Sequence, residues 1–420
     1  MNSLSFINFK LSIETMKKRL VLISSGFPYG KSETFLESEI KYLANVFEEI
    51  NILCPEPKDT HLRSLPSNCS VAFYSKEISN LDKLKALLGL FSSTVRKELN
   101  IIKNTYQLRL SKGILSTLLI SIYQAKKIAE TCRNKYLKEQ QKDSETVFYS
   151  YWCDDTALAL ALLKQEYPEI KCVSRTHGWD VYFGVHELNY LPFRHFIADN
   201  LNSIFTISNK GKEEIRETWK VKDLSTIQVS RLGVERQEIQ TNQNSSVFTL
   251  VSCSNVIPLK RVNLIAEAVL SSQEPVHWIH FGDGVELNKI QKYCEENKQV
   301  HHDISFRGRL ANEEVLDFYK TNWIDAFINV SSSEGVPVSI METMSFGIPC
   351  IATDVGGNSE IVNDENGALL DSNPSFKAIQ TAFKQVLNDS KKREAAYKTW
   401  EEKYNAEKNY KTFVENLMEN

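Results

Sequence analysis

The 420-residue chain lacks the features of a disulfide-rich, zinc-binding or membrane-spanning protein. Its eight cysteines are scattered and none forms a C-x-x-C pair, which argues against a zinc site or a disulfide framework. No apolar run reaches the roughly 18–20 residues that cross a bilayer. Residues 1–15 do not resemble a signal peptide, because Lys10 and Glu14 interrupt any apolar centre. The sequence therefore predicts a cytoplasmic protein with reduced cysteines.

Signatures of two other protein classes are also missing. An NAD-dependent oxidoreductase would carry G-x-G-x-x-G directly after an early strand, and the glycines of 26–30 do not have that spacing. The acidic pair Asp154 and Asp155 has no further oxygen ligands nearby in the sequence, and acids are favoured at a helix start. We interpret this pair as structural and predict neither a metal site nor a cofactor.

Length and composition indicate two domains. Chains beyond roughly 250–300 residues usually divide into separate cores. Hydrophobic residues make up 42% and charged residues 25%, which is ordinary for a globular protein. The net charge of −3 hides an asymmetry, since the segment from about Lys76 to Lys142 has roughly nine more basic than acidic residues.

Short apolar runs alternate with helical spacing along most of the chain. The runs at 20–24 and 50–55 predict strands with a helix between them, which is a βαβ unit of a parallel sheet. Strands are also predicted at 147–151, 171–175, 203–208 and 227–230, and after a polar linker ending at Ser246 at 248–252, 278–281, 304–307, 326–330 and 349–352. Helices are predicted within 81–140, at 156–166, 262–270, 285–296 and 312–321, and as one long charged helix at 390–418. We therefore predict an α/β protein whose two Rossmann-like domains, 16–238 and 246–390, face a cleft.

The segment 333–342 combines groups that suit a sugar nucleotide. Pro337 is placed to start a helix whose free N–H groups, at Val338 and Ser339, would attract a pyrophosphate. Glu334 would lie in the loop at the mouth, and Glu342 just over one turn into the helix. Two carboxylates in one cleft suit the hydroxyls of a hexose and a ribose. Taken alone, the pair is better explained as a capping glutamate and an exposed helix glutamate.

A second glycine-rich turn, at 353–360, follows the next strand, and two such units in succession are hard to explain by packing alone. The whole run S-S-S-E-G-V-P-V-S-I-M-E-T-M-S-F-G-I-P-C-I-A-T-D-V-G-G-N-S-E-I-V resembles the E-x7-E signature of family 4 retaining glycosyltransferases. That resemblance implies the GT-B fold, with a C-terminal helix, 391–420, that crosses back to the N-terminal domain.

Weaker resemblances to this family cover most of the chain. They comprise the phosphate-binding segment at 252–261, the nucleotide-side turns at 280–284 and 306–310, the N-terminal glycine loop at 26–35 and the central histidine motif at 176–180.

The resemblance implies roles for individual residues. Lys260 would neutralise the diphosphate as the sugar departs, and Glu334 would hold the sugar hydroxyls. Glu342 would accept hydrogen bonds from the ribose. The remaining predicted donor-binding residues are Gly335, Val336, Val338, Ser339, Ser254, Asn255, Arg261, Gly308, Arg309 and Leu310, with Gly30, Glu33 and Asp180 on the acceptor side.

Three residues leave alternatives open. His177 is predicted to contact the donor sugar or the acceptor, although a lone histidine is more often structural. Asp180 could equally cap a helix. Ser254 occupies a position where many family members have a phosphate-binding arginine, so either Arg261 replaces that guanidinium or Ser254 and Asn255 supply neutral hydrogen bonds.

The predicted function is transfer of a hexose, with retention of configuration, from a UDP- or GDP-sugar to a glycan or a polyprenyl-linked glycan in surface polysaccharide biosynthesis. The basic helical region suits peripheral contact with an anionic membrane, at the inner face of the cytoplasmic membrane, or is simply a solvated face. No nucleic-acid partner is predicted. Two alternatives remain, a catalytically silent nucleotide-sugar-binding GT-B protein and a nucleotide-sugar epimerase.

Overall fold

A computed structural model describes residues 17–30, 33–58, 61–138, 144–221, 223–238, 247–387 and 389–419. The predicted linker up to Ser246, the unassigned segment 1–15 and the proposed domain starts at 16 and 246 lie outside or at the edge of these ranges.

The N-terminal domain is built around a seven-stranded parallel sheet in the order β3-β2-β1-β4-β5-β6-β7. Its central strands are buried on both faces, which is why they occur in the sequence as continuous apolar runs. The strands are β1 Lys17–Ile23, β2 Glu49–Pro55, β3 Cys69–Tyr74, β4 Ser144–Ser150, β5 Lys171–Thr176, β6 Ser203–Thr206 and β7 Ile227–Val229. The helices are α1 Phe35–Ala44, α2 Asn80–Ala86, α3 Ser93–Asn104, α4 Lys112–Cys132, α5 Asp155–Glu166, α6 Arg194–Asn200 and α7 Asn209–Glu217.

The C-terminal domain is built around a six-stranded parallel sheet in the order β10-β9-β8-β11-β12-β13. The strands are β8 Phe248–Cys253, β9 Val276–Phe281, β10 His302–Phe306, β11 Ala326–Asn329, β12 Cys350–Thr353 and β13 Gly367–Leu370. The helices are α8 Val262–Leu270, α9 Leu287–Asn297, α10 Asn312–Thr321, α11 Val338–Ser345, α12 Asn358–Ile361, α13 Phe376–Val386, α14 Ser390–Lys403 and α15 Ala406–Glu419. The two sheets confirm the predicted fold class.

Two strands were missed from the sequence. β3 is an edge strand whose residues are mostly half-exposed, so it shows no continuous apolar run. β13 has only four residues and begins at Gly367, where a side chain would meet the carbonyl oxygen of Cys350 at 1.9 Å. Short edge strands give weak sequence signals because one side of each lacks a neighbour.

The predicted single helix at 390–418 is wrong, because the chain forms two helices, α14 and α15. Between them, the carbonyl of Tyr404 accepts a hydrogen bond from the backbone N–H of Val234, and the N–H of Ala406 donates back to the Val234 carbonyl at 3.1 Å. Gly233 makes this approach possible, since a Cβ there would lie 2.6 Å from backbone atoms of Ala406. This pairing interrupts the helical hydrogen bonds and redirects the chain.

The break places the two helices on different domains. α14 packs against α11 through a cluster that contains Trp400. α15 crosses to the N-terminal sheet, where Phe413 lies 4.1 Å from the guanidinium of Arg175. Arg175 in turn forms a fully buried ion pair with Glu39 at 3.2 Å. The C-terminal crossing therefore anchors the end of β5, two residues before His177.

Candidate active site

The loop between β11 and α11 carries the first predicted carboxylate. Glu334 Oε1 accepts hydrogen bonds from Lys260 Nζ at 2.5 Å, Ser331 Oγ at 2.6 Å and Asn329 Nδ2 at 3.1 Å. Its side chain is 10% exposed and that of Lys260 is 21% exposed. Only Oε1 has a partner among the described residues, which leaves Oε2 to accept hydroxyl groups. The predicted pairing of Glu334 and Lys260 in one site is thus present as a direct ion pair.

Glycines in the following loop hold Glu334 in position. Gly356 has φ +52°, and a Cβ there would lie 1.7 Å from the carbonyl oxygen of Glu334. The next residue, Gly357, donates its N–H to the carbonyl of Gly335 at 2.7 Å. The second glycine-rich turn therefore packs closely against the first loop and supports it.

Glu342 lies one turn inside α11, with the helix N-terminus opening towards the same cavity. Pro337 is the N-cap residue, and the early N–H groups of an eight-residue helix follow it. Burial raises the pKa of Glu342 to about 7, and a hydrogen bond with Asn312 partly offsets that effect. The carboxyl group therefore changes protonation state near neutral pH, which bears on how it would bind a hydroxyl.

His177 sits on the opposite wall, directly after β5. Its ring packs 4.4 Å from the Trp152 ring and 4.7 Å from the Tyr151 ring, measured between centroids. The side chain is 8% exposed, and neither ring nitrogen has a hydrogen-bond partner among the described residues, since Asp180 Oδ2 lies 3.9 Å from Nδ1. A buried imidazole without such partners is costly unless a ligand supplies one, which favours the predicted binding role over a purely structural one.

A cavity of about 470 Å³ joins these groups between the two domains. The predicted residues that line it are Glu334, Lys260, His177, Glu342, Gly335, Val336, Val338, Ser339, Ser254, Asn255, Arg309 and Leu310. Lys260 and Arg309 are the only lysine or arginine residues among the described residues of its lining. Arg309 is exposed and has no ion-pair partner in the described chain.

The structure does not support the predicted donor-binding role of Arg261. It has φ +48°, and its guanidinium donates to the carbonyls of Val330 at 2.6 Å, Ser331 at 2.8 Å and Ser372 at 2.8 Å. These bonds hold the loop of Glu334 from behind, and Arg261 does not line the cavity. It therefore does not replace the missing guanidinium at Ser254.

Glu33 and Asp180 both line a second cavity on the N-terminal domain, and their hydrogen bonds also hold loops in place. Glu33 accepts hydrogen bonds from the backbone N–H groups of Ser25, Gly26 and Phe27, all within 2.8 Å, and from Trp152 Nε1 at 2.7 Å. The positive φ of +57° at Glu33 directs its carboxylate back at this loop. Glu33 thus holds the glycine loop and also lies at the wall of the second cavity, and its direct contact with an acceptor remains a prediction.

Asp180 acts similarly on the histidine loop. Its oxygens accept the N–H groups of His177 at 2.6 Å and Cys153 at 2.9 Å. Burial opposes ionisation, but the nearby imidazole of His177 and these backbone N–H groups outweigh it and lower the Asp180 pKa. Of its two sequence interpretations, the capping one describes its contacts, although it caps loops and not a helix.

Two predicted glycines lie outside the cavity lining. Gly308 has φ +66° and its carbonyl accepts the N–H of Gly282 at 2.8 Å, which orders the turn before Arg309. Gly30 has φ +69° and its carbonyl accepts two hydrogen bonds from Arg63. Both glycines shape loops and present no group to the cleft.

A second cavity, of about 600 Å³, opens on the N-terminal domain beside the first. Trp152 lines both, and Trp179 is 63% exposed at the wall of the second. Asp155 also lines it; burial, with the neighbouring charge of Asp154, raises its pKa to about 6. An exposed indole with nearby carboxylates suits a sugar ring, which offers a C–H face and hydroxyl edges.

The acidic pair 154–155 has the predicted structural role, and it also borders the second cavity. Asp154 caps α5 by accepting the N–H of Thr156 at 2.9 Å, and Asp155 accepts from Ser121 Oγ at 2.5 Å. Across the described residues no group of three or more His, Cys, Asp or Glu side chains could hold a metal ion.

Several cavity residues were missed from the sequence. Trp152 follows β4 and Asn312 begins α10, and both positions at strand or helix ends could have been flagged by the rule that ligands bind at the carboxyl edge of parallel strands. Cys253 and Phe281, at the ends of β8 and β9, lie within the segments 252–261 and 280–284 that the family resemblance indicated, although neither was given a role of its own. The residue types of Trp152 and Asn312 carry no chemical signature, so only the fold identifies them.

Two facing parallel-sheet domains with this cleft define the GT-B class. Solved structures share the arrangement over nearly the whole chain. The apo lipopolysaccharide outer core galactosyltransferase WaaB has a TM-score of 0.63 at 16% identity, covering 96% of this chain and 99% of that one. Sucrose-phosphate synthase from Thermosynechococcus elongatus has a TM-score of 0.69 at 13% identity, covering 96% and 98%.

Sequence comparison matches the C-terminal domain to a known family. Residues 234–403 match the family model described as glycosyl transferases group 1. The predicted resemblance to glycosyltransferases is confirmed at that level. Retention of configuration and membership of family 4 remain predictions.

Curated relatives cover different shares of the chain. The O-antigen biosynthesis glycosyltransferase WbnH of Escherichia coli is 26% identical over 207 residues, which are 49% of this chain and 57% of that protein. The UDP-Gal:alpha-D-GlcNAc-diphosphoundecaprenol alpha-1,3-galactosyltransferase of Escherichia coli is 25% identical over 371 residues, 84% of this chain and 83% of that protein. The chain thus spans little more than half the length of some curated relatives and most of another.

Proposed function

We propose that the chain transfers a hexose from a UDP- or GDP-sugar to a glycan or polyprenyl-linked glycan, with retention of configuration, in the synthesis of a surface polysaccharide. The observation that carries the proposal is the convergence of Lys260, Glu334, Glu342 and the α11 N-terminus on one cavity. That set offers positive charge for a diphosphate and carboxylates for two sugars, with no requirement for a metal or cofactor.

The leaving diphosphate would be stabilised by Lys260 and by the N–H groups at the start of α11. These donors are fixed before reaction, which is how electrostatic stabilisation lowers a barrier with little reorganisation. We infer that Arg309 provides the second positive charge, since Ser254 offers only a hydroxyl and Arg261 is committed elsewhere. Glu334 Oε2 would orient the hexose while Oε1 keeps its bond to Lys260.

For retention, attack would take place on the face from which the diphosphate leaves. The acceptor oxygen forms the new bond to the anomeric carbon as the bond from that carbon to the phosphate oxygen breaks. The departing phosphate oxygen takes the proton of the acceptor hydroxyl, so that no protein nucleophile is required. His177 would bind a hydroxyl of the donor sugar or the acceptor with its unpartnered ring nitrogens.

The acceptor would occupy the second cavity. It adjoins the donor cavity at Trp152 and provides the exposed indole of Trp179 for stacking and the carboxylate oxygens of residues 154 and 155 for hydroxyls. The name of one relative specifies a diphosphoundecaprenol-linked acceptor, which supports a lipid-linked glycan here. Such an acceptor would bring the chain to the inner face of the cytoplasmic membrane.

The first test is a thermal-shift screen of UDP-, GDP- and ADP-sugars on wild type, Glu342→Ala and the surface control Glu295→Ala. A donor held at about 100 times its Kd adds roughly 2.7 kcal/mol of apparent stability. We expect one donor class to stabilise wild type and the control but not Glu342→Ala. Stabilisation by no donor class would overturn the proposal.

A turnover assay separates enzyme from binding protein. Product NMR should show the anomeric configuration of the donor, and slow donor hydrolysis should continue without acceptor. Donor binding without hydrolysis or transfer would indicate the silent partner instead, and epimerised free nucleotide sugar would indicate the epimerase. An inverted product would contradict retention alone.

A further inference from the structure

In the first helical segment after β3, the large apolar side chains face the exterior, although a globular fold usually buries such side chains. Leu81, Leu84, Leu88 and Phe91 are 60%, 64%, 68% and 81% exposed. They recur at steps of three and four residues along α2 and the 3₁₀ turn Leu87–Phe91, so they share one side. We call these four residues the outer apolar face.

Small residues form the inner side of the same segment. Ala86 is buried, and a Cβ at Gly89 would lie 3.2 Å from Leu119 and 3.3 Å from Ile122 of α4. The acid of α2, Asp82, is also turned inwards, since it accepts a hydrogen bond from Tyr123 of α4. The segment therefore packs by its small side and presents its large side to the exterior, the reverse of the usual arrangement.

The segment that carries the outer apolar face is rich in basic residues. Residues 76–138 contain 13 Lys or Arg against four Asp or Glu. Lys83 and Lys85 lie within α2 itself, and Lys127 of α4 reaches the carbonyl of Glu77 at 3.3 Å, just before α2 begins. Exposed apolar side chains with lysines close by match the interface of an anionic bilayer, where the apolar groups insert between headgroups and the cations pair with them.

The outer apolar face and the second cavity are connected through α4. α4 supports the segment through Leu119 and Ile122, and the same helix lines the second cavity with Thr117, Ile120 and Ser121. Lys76, four residues before α2, also lines that cavity. A bilayer touching the outer apolar face would thus lie beside the proposed acceptor cavity.

We propose that the outer apolar face docks the N-terminal domain reversibly on an anionic lipid bilayer and so presents the second cavity to a lipid-linked acceptor. Across the described part of the chain no helix is long and apolar enough to cross a membrane, so attachment through this region would be interfacial. The acceptor half of this inference rests on the proposed function, whereas the docking half does not.

Flotation with vesicles tests the docking without turnover. Vesicles of phosphatidylcholine alone are compared with vesicles containing about 30% phosphatidylglycerol, which supplies the negative surface potential. We expect wild type to float with the anionic vesicles and to be released at about 1 M salt, where the Debye length falls to about 3 Å. The triple variant Leu84→Ser/Leu88→Ser/Phe91→Ser should lower the partition coefficient roughly tenfold or more.

Matched variants keep the test interpretable. Val285→Ser/Val300→Ser removes two highly exposed apolar residues of the other domain and should bind vesicles as wild type does. Lys83→Gln/Lys85→Gln should weaken binding to anionic vesicles only. The thermal shift by donor should be unchanged in the triple variant, which shows that it is folded and separates failure of docking from failure of the proposed function.

Any of three results would overturn the proposal. The first is wild type that floats with neither vesicle, and the second is a triple variant that floats as well as wild type. The third is a wild-type dimer by sedimentation that the triple variant converts to monomer without any vesicle binding, because the outer apolar face would then be a subunit interface.

Discussion

At the scale of single residues, Lys260 combines two roles in the proposed donor site. Its ammonium lies 2.5 Å from Glu334 Oε1 in a pocket of low exposure, where a charge interacts more strongly than it does in water. The same ammonium can contact a diphosphate through its other N–H groups. Lys260 therefore both positions Glu334 and meets the charge that grows on the leaving group.

Replacing Lys260 by alanine should lower kcat by roughly 100- to 1,000-fold, the usual cost of a donor that stabilises a developing charge. The donor Kd should rise less than kcat falls, because the charge is greatest in the transition state. Steady-state kinetics with a labelled donor measure both values. Lys289→Ala, on an exposed helix of the same domain, is the control, and a loss of less than tenfold at Lys260 would argue against this role.

Glu342 gives the site a pH dependence. Since burial raises its pKa from 4.5 to about 7, the folded state holds a proton that the unfolded state releases at lower pH. The free energy of unfolding should therefore decrease as pH rises from about 4.5 to 7. Glu342→Gln removes this pH dependence. The change in the free energy of unfolding that the substitution causes should therefore be roughly 1–3 kcal/mol more stabilising at pH 8 than at pH 4.5.

Denaturant unfolding of wild type and Glu342→Gln at the two pH values measures this difference. Donor binding should show the opposite trend, because a ribose hydroxyl donates best to the ionised carboxylate. Wild-type affinity for the donor should thus increase between about pH 6 and 8, and the glutamine variant should lose that increase. Parallel pH profiles of the two proteins would contradict this assignment.

At the scale of elements, the loop after β12 is fitted against the loop after β11. Gly356→Ala would place a Cβ 1.7 Å from the carbonyl oxygen of Glu334, at a φ of +52° that alanine disfavours. We expect loss of donor binding together with a destabilisation of roughly 1–3 kcal/mol. Thermal unfolding and donor titration measure the two effects.

Gly184→Ala is the matched control, because nothing lies within 4 Å of a Cβ at that exposed glycine. It should leave both stability and donor binding close to wild type. Should Gly356→Ala bind donor normally, the second loop would not be the support of Glu334 that the contacts indicate.

At the scale of the whole molecule, a carboxylate of the C-terminal domain forms hydrogen bonds with the N-terminal domain. Glu360 of α12 accepts the N–H groups of Asn209 at 3.0 Å and Lys210 at 2.7 Å, which begin α7 in the N-terminal domain. Arg231 Nη2 donates to the same group at 3.2 Å. A carboxylate at a helix N-terminus is favourable both electrostatically and as a cap. These contacts join the two domains.

Glu360→Gln should open the cleft, because an amide accepts these hydrogen bonds more weakly than a carboxylate does. Small-angle scattering should show a larger radius of gyration, and the donor KM should rise roughly 5- to 30-fold. The control Glu365→Gln changes an exposed side chain nearby. An unchanged radius and an unchanged KM would show that closure does not depend on Glu360.

The sequence by itself determined the two-domain α/β fold and the identity of the main cavity groups. Buried parallel strands must be apolar throughout, and a loop that meets a diphosphate needs its lysine, glycines and helix N-terminus at fixed spacing, so both leave local patterns. These patterns, together with the family resemblance, led to Lys260, Glu334 and Glu342, which the structure places at one cavity.

Only the tertiary structure decided how the remaining residues are used. Arg261, Glu33 and Asp180 have side chains suited to ligands, but these side chains form hydrogen bonds with backbone groups of their own or neighbouring loops. Likewise the break between α14 and α15 depends on Val234, about 170 residues earlier in the chain. Such partners are brought together by folding, and no local pattern records them; the exposure of Leu84, Leu88 and Phe91 became evident for the same reason.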